Sequence, residues 1–204
     1  LQMRSLTGAK NPDGPADPII VHPDVRRMLL TQKSLAEGGR MLNFHIAKML
    51  DVLQRSDNAE LIKQTEEELG LLTPIAKAFL TETGFESANL ALQCFGGHGY
   101  IKEWEVEQNV RDARIACIYE GTTGIQALDL LGRKIIMTKG ERLRSFTKKI
   151  HKFCEEHKDD KELAPFVNQL AKYNKEWGEL VMKVGGAAMQ NPDELGAASV
   201  DFLM

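Results

Sequence analysis

The sequence predicts an all-α protein, a helical bundle with the start of an appended, truncated helical unit. Apolar residues recur with a period near 3.6 along most of the chain. No stretch between turn signals alternates with a period of two, so no sheet is expected. The breaks between periodic runs are short clusters rich in Gly, Pro, Asp and Asn, the residues that end helices. The 204 residues are 43% apolar and 27% charged, ordinary for a globular protein. That length holds one large domain, or one domain and part of a second.

The elements follow in order. Residues 8–23, GAKNPDGPADPIIVHP, hold two Gly and four Pro and read as a loop. Pro23-Asp24 opens a helix whose apolar residues are Val25, Met28, Leu29, Leu35, Leu42, Ile46, Met49, Leu50 and Leu53. Gly38-Gly39 in its middle costs about 1 kcal/mol per Gly relative to Ala, which points to close approach of another helix or a ligand. QRSDNAE ends this helix, and a second runs from about Ala59 to Phe95. Pro74 interrupts it, with Thr73-Pro74 suited to a fresh N-cap and first position. GGHGY then stops the helix in a turn that glycines make easily. A short helix is expected over about Glu105–Ala116. After the turn at Glu120, Thr122 caps another to about Met137, with Ile125, Leu128, Leu131, Ile135 and Ile136 inward. TKGE marks a domain boundary, giving a bundle domain at 1–138 and the start of an appended domain at 139–204. Further helices are expected at about 140–157 and 161–190, the latter broken near Gly185-Gly186, with a last one after NPDE.

Composition excludes several classes. A net charge of −3 gives no electrostatic case for nucleic acid or anionic membrane. The local basic cluster Arg142, Arg144, Lys148, Lys149 and Lys152 is followed by Glu155, Glu156, Asp159 and Asp160, a mixture that reads as a solvated helix face. Cys94, Cys117 and Cys154 are too few and scattered for a disulfide framework, and fit buried thiols in a reducing cytoplasm. No run approaches the roughly 18 apolar residues of a membrane span. The chain begins at Leu1 rather than Met and ends on Phe202, Leu203 and Met204, an apolar tip expected to be left unpaired. Both ends read as those of a piece cut from a longer protein.

The candidate motifs each carry a structural reading beside a chemical one. GGHGYI follows a helix and lacks the third Gly of G-x-G-x-x-G, so a nicotinamide-type dinucleotide fold is not expected. It is a helix cap, or a turn whose backbone N–H groups can face a phosphate. His151 and His157 are six positions apart, not the spacing of a helical zinc pair, so no metal site is expected. His98 reads as a turn residue. Arg111, Asp112 and Arg114 read as ion-paired within the fold. Glu120, in IYEGTTGIQ, has two readings. Near a helix N-terminus a carboxylate gains about 0.3–1 kcal/mol from the dipole. Set among apolar neighbours, which raise a carboxyl pKa, it would be tuned as a base. Spacing alone leaves both open.

The stretch LALQCFGGHGYIKEWEVEQNVRDARIACIYEGTTGIQALDLLGRK resembles the C-terminal domain of the flavin-dependent acyl-CoA dehydrogenases. The family pattern is matched at Gln93, Gly96, Gly97, Gly99, Tyr100, Arg111, Asp112, Ile118, Tyr119, Glu120, Gly121, Thr122, Ile125 and Gln126. The resemblance covers roughly residues 1–137. PADPIIVHPDVRRMLLTQKSLAEGGRML and the helices past residue 140 look like the larger bacterial branch, which carries an added C-terminal helical domain and includes enzymes for methylthio-propanoyl-CoA.

The resemblance implies that Glu120 is the base that takes the α-proton of an acyl-CoA thioester, giving a trans-2-enoyl-CoA with FAD as cofactor. It implies that the Glu120 N–H binds the thioester carbonyl and that Tyr119 and Gly121 line the acyl pocket. Gln93, Gly96 and Gly97 would contact the FAD held by a neighbouring subunit, and Thr122 and Gly124 that of the chain's own site. Homo-oligomers, an electron-transfer flavoprotein as acceptor and a cytoplasmic location follow in the same way. Gly124 replaces a longer polar residue of the family pattern, so its contact would be through backbone. Pro23 replaces a Gln. The family's N-terminal helical and central β-domains are not in this sequence, so the chain alone is expected to be inactive. The competing reading is a dehydrogenase-like helical module for oligomerisation or nucleic-acid binding, as in alkylation-response relatives, whose only sequence support is the basic cluster.

Overall fold

The computed structural model describes residues 4–204; the start at Leu1 lies outside them. The described residues form helices and no strand. They divide into two compact units. The first takes the residues up to Leu42 together with Leu80–Glu120, and the second takes Asn43–Phe79 with Gly121–Met204.

In the first unit the Pro-rich lead-in is ordered by one acid. Asp17, only 6% exposed, accepts hydrogen bonds from the backbone N–H groups of Ser5, Lys10 and Asn11 at 2.8, 2.8 and 2.7 Å. Arg4 pairs with it at 3.6 Å. These donors, Ser5 first, hold its carboxyl below the usual range. Helix α1, Pro23–Arg55, follows a short 3₁₀ turn at Ile19–Val21. Its covered residues include Val25, Met28, Gln32, Leu35, Gly39, Leu42, Ile46 and Met49, alternating three and four apart, with Thr31 beside them and Val52 and Leu53 at the end. That seam is narrower than the expected stripe, and Leu29 and Leu50 fall outside it and are exposed. The close approach expected at Gly38-Gly39 is found at Gly39, where a Cβ would stand 2.9 Å from Leu80 Cδ2, and not at Gly38, where a Cβ would meet nothing within 4 Å.

Helix α2, Ala59–Phe95, runs through Pro74 without a break. The expected restart at Thr73-Pro74 is not found. Pro74 is fully buried, in a run with buried Leu71, Leu72, Ala76 and Ala78. A cap there would interrupt this buried run. The continuous helix instead forgoes one backbone bond, and Thr73 Oγ1 donates to the Leu69 carbonyl at 2.7 Å.

The second unit is closed by helices α5 (Thr123–Leu128), α6 (Glu141–His157), α7 (Ala164–Gln190) and α8 (Asp193–Leu203). Between α5 and α6 the chain is π-helical over Asp129–Ile136. Ala127 near the end of α5 and Leu130, Leu131 and Ile135 in this stretch lie in the core, all fully buried. Leu128 and Ile125, expected inward, are 40% and 56% exposed, because turns wider than 3.6 residues move the inward position from 128 to 127. Helix α7 is continuous through Gly185-Gly186 rather than broken, with neighbouring Val181 and Val184 packed on the core. Trp177 meets Phe146 edge-on at 6.2 Å and Phe202 at 6.1 Å. Phe202 and Leu203 are therefore core residues, not an unpaired tip. No helix of the described residues is long and apolar enough to cross a membrane.

Candidate active site

In the first unit the candidate residues begin where α2 stops. Gly96 has φ 59 and ψ −143, a conformation open in practice only to glycine. Its N–H donates to the Gln93 carbonyl, and Gly99 N–H donates to the Gly96 carbonyl, each at 3.0 Å. A four-residue helix α3, Gly97–Tyr100, follows directly. Gly99 is buried, and a Cβ there would meet the Leu92 carbonyl oxygen at 2.6 Å and Phe95 Cβ at 2.8 Å. Gln93, Gly96 and Gly97 are all exposed. A Cβ on Gly96 or Gly97 would meet nothing within 4 Å. The turn thus offers one amide side chain and a stretch of uncovered backbone.

His98 is not merely a turn residue. It packs edge-on against Trp104 at 5.3 Å, and Trp104 also meets Phe95 at 6.5 Å. Trp104, which the sequence reading did not single out, braces both sides of the glycine turn. Its position between two strong motifs was the available signal.

Helix α4, Val106–Ala116, leads to the acid. None of Arg111, Asp112 and Arg114 forms an ion pair among the described residues, against expectation. Asp112 accepts from Gln108 Nε2 at 2.7 Å, and Arg114 lies over the Phe85 ring at 5.4 Å. Gln108 lies one helical turn from Asp112, whereas Phe85 comes to Arg114 from α2, through packing within the first unit. Past α4, the N–H groups of Ile118 and Tyr119 both donate to the Ile115 carbonyl, at 3.0 and 3.1 Å. Glu120 then takes φ 54, the left-handed region that side chains rarely adopt. It is exposed, as are Ile118 and Tyr119, so this chain does not supply the apolar enclosure expected around the carboxylate.

Gly121 opens the second unit with φ 94. A Cβ there would stand 2.6 Å from Gln126 Nε2, so the amide of Gln126 covers this turn. Thr122 is the N-cap of α5, its Oγ1 accepting from Ile125 N–H at 3.4 Å. The structural role considered for Glu120, helix N-terminus device, therefore belongs to Thr122. A Cβ on Gly124 would meet only Thr122 Oγ1, at 3.9 Å, so Gly121, Thr122 and Gly124 share one tight turn.

The basic cluster is ion-paired in part, at Lys149 and Lys152, while Arg144 bonds to backbone. Lys149 pairs with Glu68, Lys152 pairs with Glu156 at 3.7 Å, and Arg144 donates to the Lys139 carbonyl at 3.0 Å. Among the described residues no group of three or more His, Cys, Asp or Glu side chains converges as a metal site would require.

Comparison with known proteins places these turns in context. A family profile described as acyl-CoA dehydrogenase, C-terminal domain, matches residues 4–135. A second, described as acetyl-CoA dehydrogenase C-terminal like, matches residues 146–204. The chain is 39% identical to 3-methylmercaptopropionyl-CoA dehydrogenase of Ruegeria pomeroyi, over the whole of this chain and 34% of that protein. It is 34% identical to the broad-specificity linear acyl-CoA dehydrogenase FadE5 of Mycobacterium tuberculosis, again over the whole chain and 34% of that protein. The chain therefore spans about a third of the length of these curated relatives. Among solved structures, Caenorhabditis elegans ACDH-11 in complex with C11-CoA shares the fold with a TM-score of 0.78 at 22% identity, over 93% of this chain and 31% of that one.

Proposed function

Since the chain belongs to the acyl-CoA dehydrogenase family, we propose that it is the base-bearing, C-terminal part of such an enzyme and that Glu120 is the base. The observation that carries this is the backbone at Glu120. A residue with a full side chain is held at φ 54, just before Gly121 at φ 94. Such a conformation costs on the order of 1–3 kcal/mol and persists where the position of a group matters more than local comfort. A helix cap needs no such strain, and Thr122 already fills that role.

In this reading the Glu120 carboxylate takes the α-proton of a bound acyl-CoA while the β-hydrogen departs as hydride, leaving a trans-2-enoyl-CoA. Bound FAD would supply the hydride acceptor. The Glu120 N–H would donate to the thioester carbonyl, favouring charge that develops there as the α-proton leaves. Tyr119 and Gly121 would line the acyl pocket. The chemistry of the remaining candidates suits the flavin: Gln93, Gly96 and Gly97 offer an amide and uncovered backbone without a charge, and Thr122 offers a hydroxyl. Gly96 and Gly97 would hold the flavin of a neighbouring subunit together with Gln93, and Thr122 and Gly124 that of the chain's own site. A homo-oligomer, reoxidation by an electron-transfer flavoprotein and a cytoplasmic setting belong to the same proposal. So does a domain boundary between 138 and 139.

The test uses the longer enzyme with its flavin, mixed anaerobically with a saturated acyl-CoA. Glu120→Gln should retain flavin but slow bleaching of its absorbance by about 10²–10⁴-fold, the usual contribution of a positioned base. Bleaching at the parental rate would remove Glu120 from the role. The 204-residue chain by itself should hold little or no flavin; a stoichiometric flavin spectrum would contradict that part.

A further inference from the structure

The second unit contains a cavity of about 590 Å³ that the chemistry above does not use. Its volume lies within the roughly 300–1,000 Å³ of small-molecule sites. One wall is a face of α7 made of Gly178, Gly185 and Gly186, and a Cβ on any of them would meet nothing within 4 Å. Glycine in a helix interior lowers stability, so three on one face leave a space that ordinary side chains would have filled. Ile135, Leu143 and Val181 give the cavity an apolar floor. Met182 and Met189, 78% and 90% exposed, stand along it as flexible apolar arms.

The polar part of the lining has one sign of charge. Lys139 and Arg144 border the cavity and no acid does. Neither has a carboxylate within ion-pairing distance among the described residues. The two are held together, since Arg144 Nη2 donates to the Lys139 carbonyl at 3.0 Å. Lys139 itself is fixed in the left-handed region at φ 52. Two unpaired cations beside an apolar space favour an anionic head on an apolar tail.

We propose that this cavity binds a long-chain carboxylate, with its tail along the glycine face of α7 and its head at Lys139 and Arg144. This site is separate from Glu120 and does not depend on the role assigned to that residue.

The experiment is calorimetric titration of the chain with dodecanoate below its micellar concentration. Saturable binding at one site per chain is expected. Gly185→Leu and, independently, Gly178→Leu should each weaken binding more than tenfold by filling the cavity. Both add a better helix former where no atom obstructs it, so circular dichroism and melting temperature should show a folded chain. Lys139→Gly, which suits the left-handed backbone, and Arg144→Gln should each weaken binding about tenfold. Each should also narrow the preference for dodecanoate over dodecyltrimethylammonium. The proposal is overturned if the folded parent shows no saturable binding or binds the cationic amphiphile as tightly. Parental affinity in both leucine variants would overturn it as well.

Discussion

Gly99→Ala measures how tightly the glycine turn at the end of α2 is built. The added Cβ would stand 2.6 Å from the Leu92 carbonyl oxygen and 2.8 Å from Phe95 Cβ. Neither atom is the free end of a flexible side chain. Relief requires the last turn of α2 to shift, carrying Phe95 and its contact with Trp104 along. Overpacking of this kind costs about 1–3 kcal/mol. Alanine in place of glycine in a helix returns up to about 1 kcal/mol. Because backbone holds both obstructing atoms, the upper part of the overpacking range, about 2–3 kcal/mol, applies, and the net loss is about 1–2 kcal/mol, or about 2–8 °C in melting temperature at this chain length. Gly97→Ala is the control: it lies in the same short helix, and its Cβ would meet nothing within 4 Å. It should melt at or slightly above the parent. Thermal denaturation followed by circular dichroism, with urea unfolding as a second measure, separates the two. If Gly99→Ala melts no lower than Gly97→Ala, the steric reading of this turn is wrong.

Other outcomes follow from the same structure. Leu131→Ala removes a fully buried side chain from the core of the second unit and should cost about 2–5 kcal/mol in urea unfolding. Thr122→Ala removes the acceptor at the start of α5; the bond is long, at 3.4 Å, so a loss of about 0.5–1 kcal/mol is expected by the same measurement. Asp17 gives a pH dependence of known sign. Its folded-state pKa is lowered, first by the Ser5 N–H. Its stabilisation is thus complete above the unfolded value of about 4 and is lost as pH falls through the lower folded value. Hydrogen exchange at the amides of Ser5, Lys10 and Asn11 should lose protection only in that acid range. In Asp17→Asn these amides should be poorly protected already near neutral pH, with no further acid step from this residue; an unchanged acid step would refute the assignment.

The sequence by itself determined the helical class, the order of the helices and the placement of the two motif-bearing turns. Those properties are local: apolar spacing, capping residues such as Thr122, and glycines at Gly96 and Gly121, where positive φ is required. The resemblance that singled out Glu120 is likewise carried by adjacent residues in order. Tertiary packing decided the rest. Pro74 and Gly185-Gly186 look like breaks in isolation, yet both stay helical because the neighbouring side chains are buried along the continuous helix. The π-helical stretch shifted which residues of α5 face inward, a change of phase that no fixed period can anticipate. Phe202 and Leu203 became core rather than tip once Trp177 and Phe146 were in place. Arg114 chose a ring and Asp112 an amide, because partners are settled by distance in space and not by charge along the chain. The same holds for the cavity beside α7: Gly178, Gly185 and Gly186 acquire a meaning only when the fold brings Leu143, Lys139 and Arg144 to the same space.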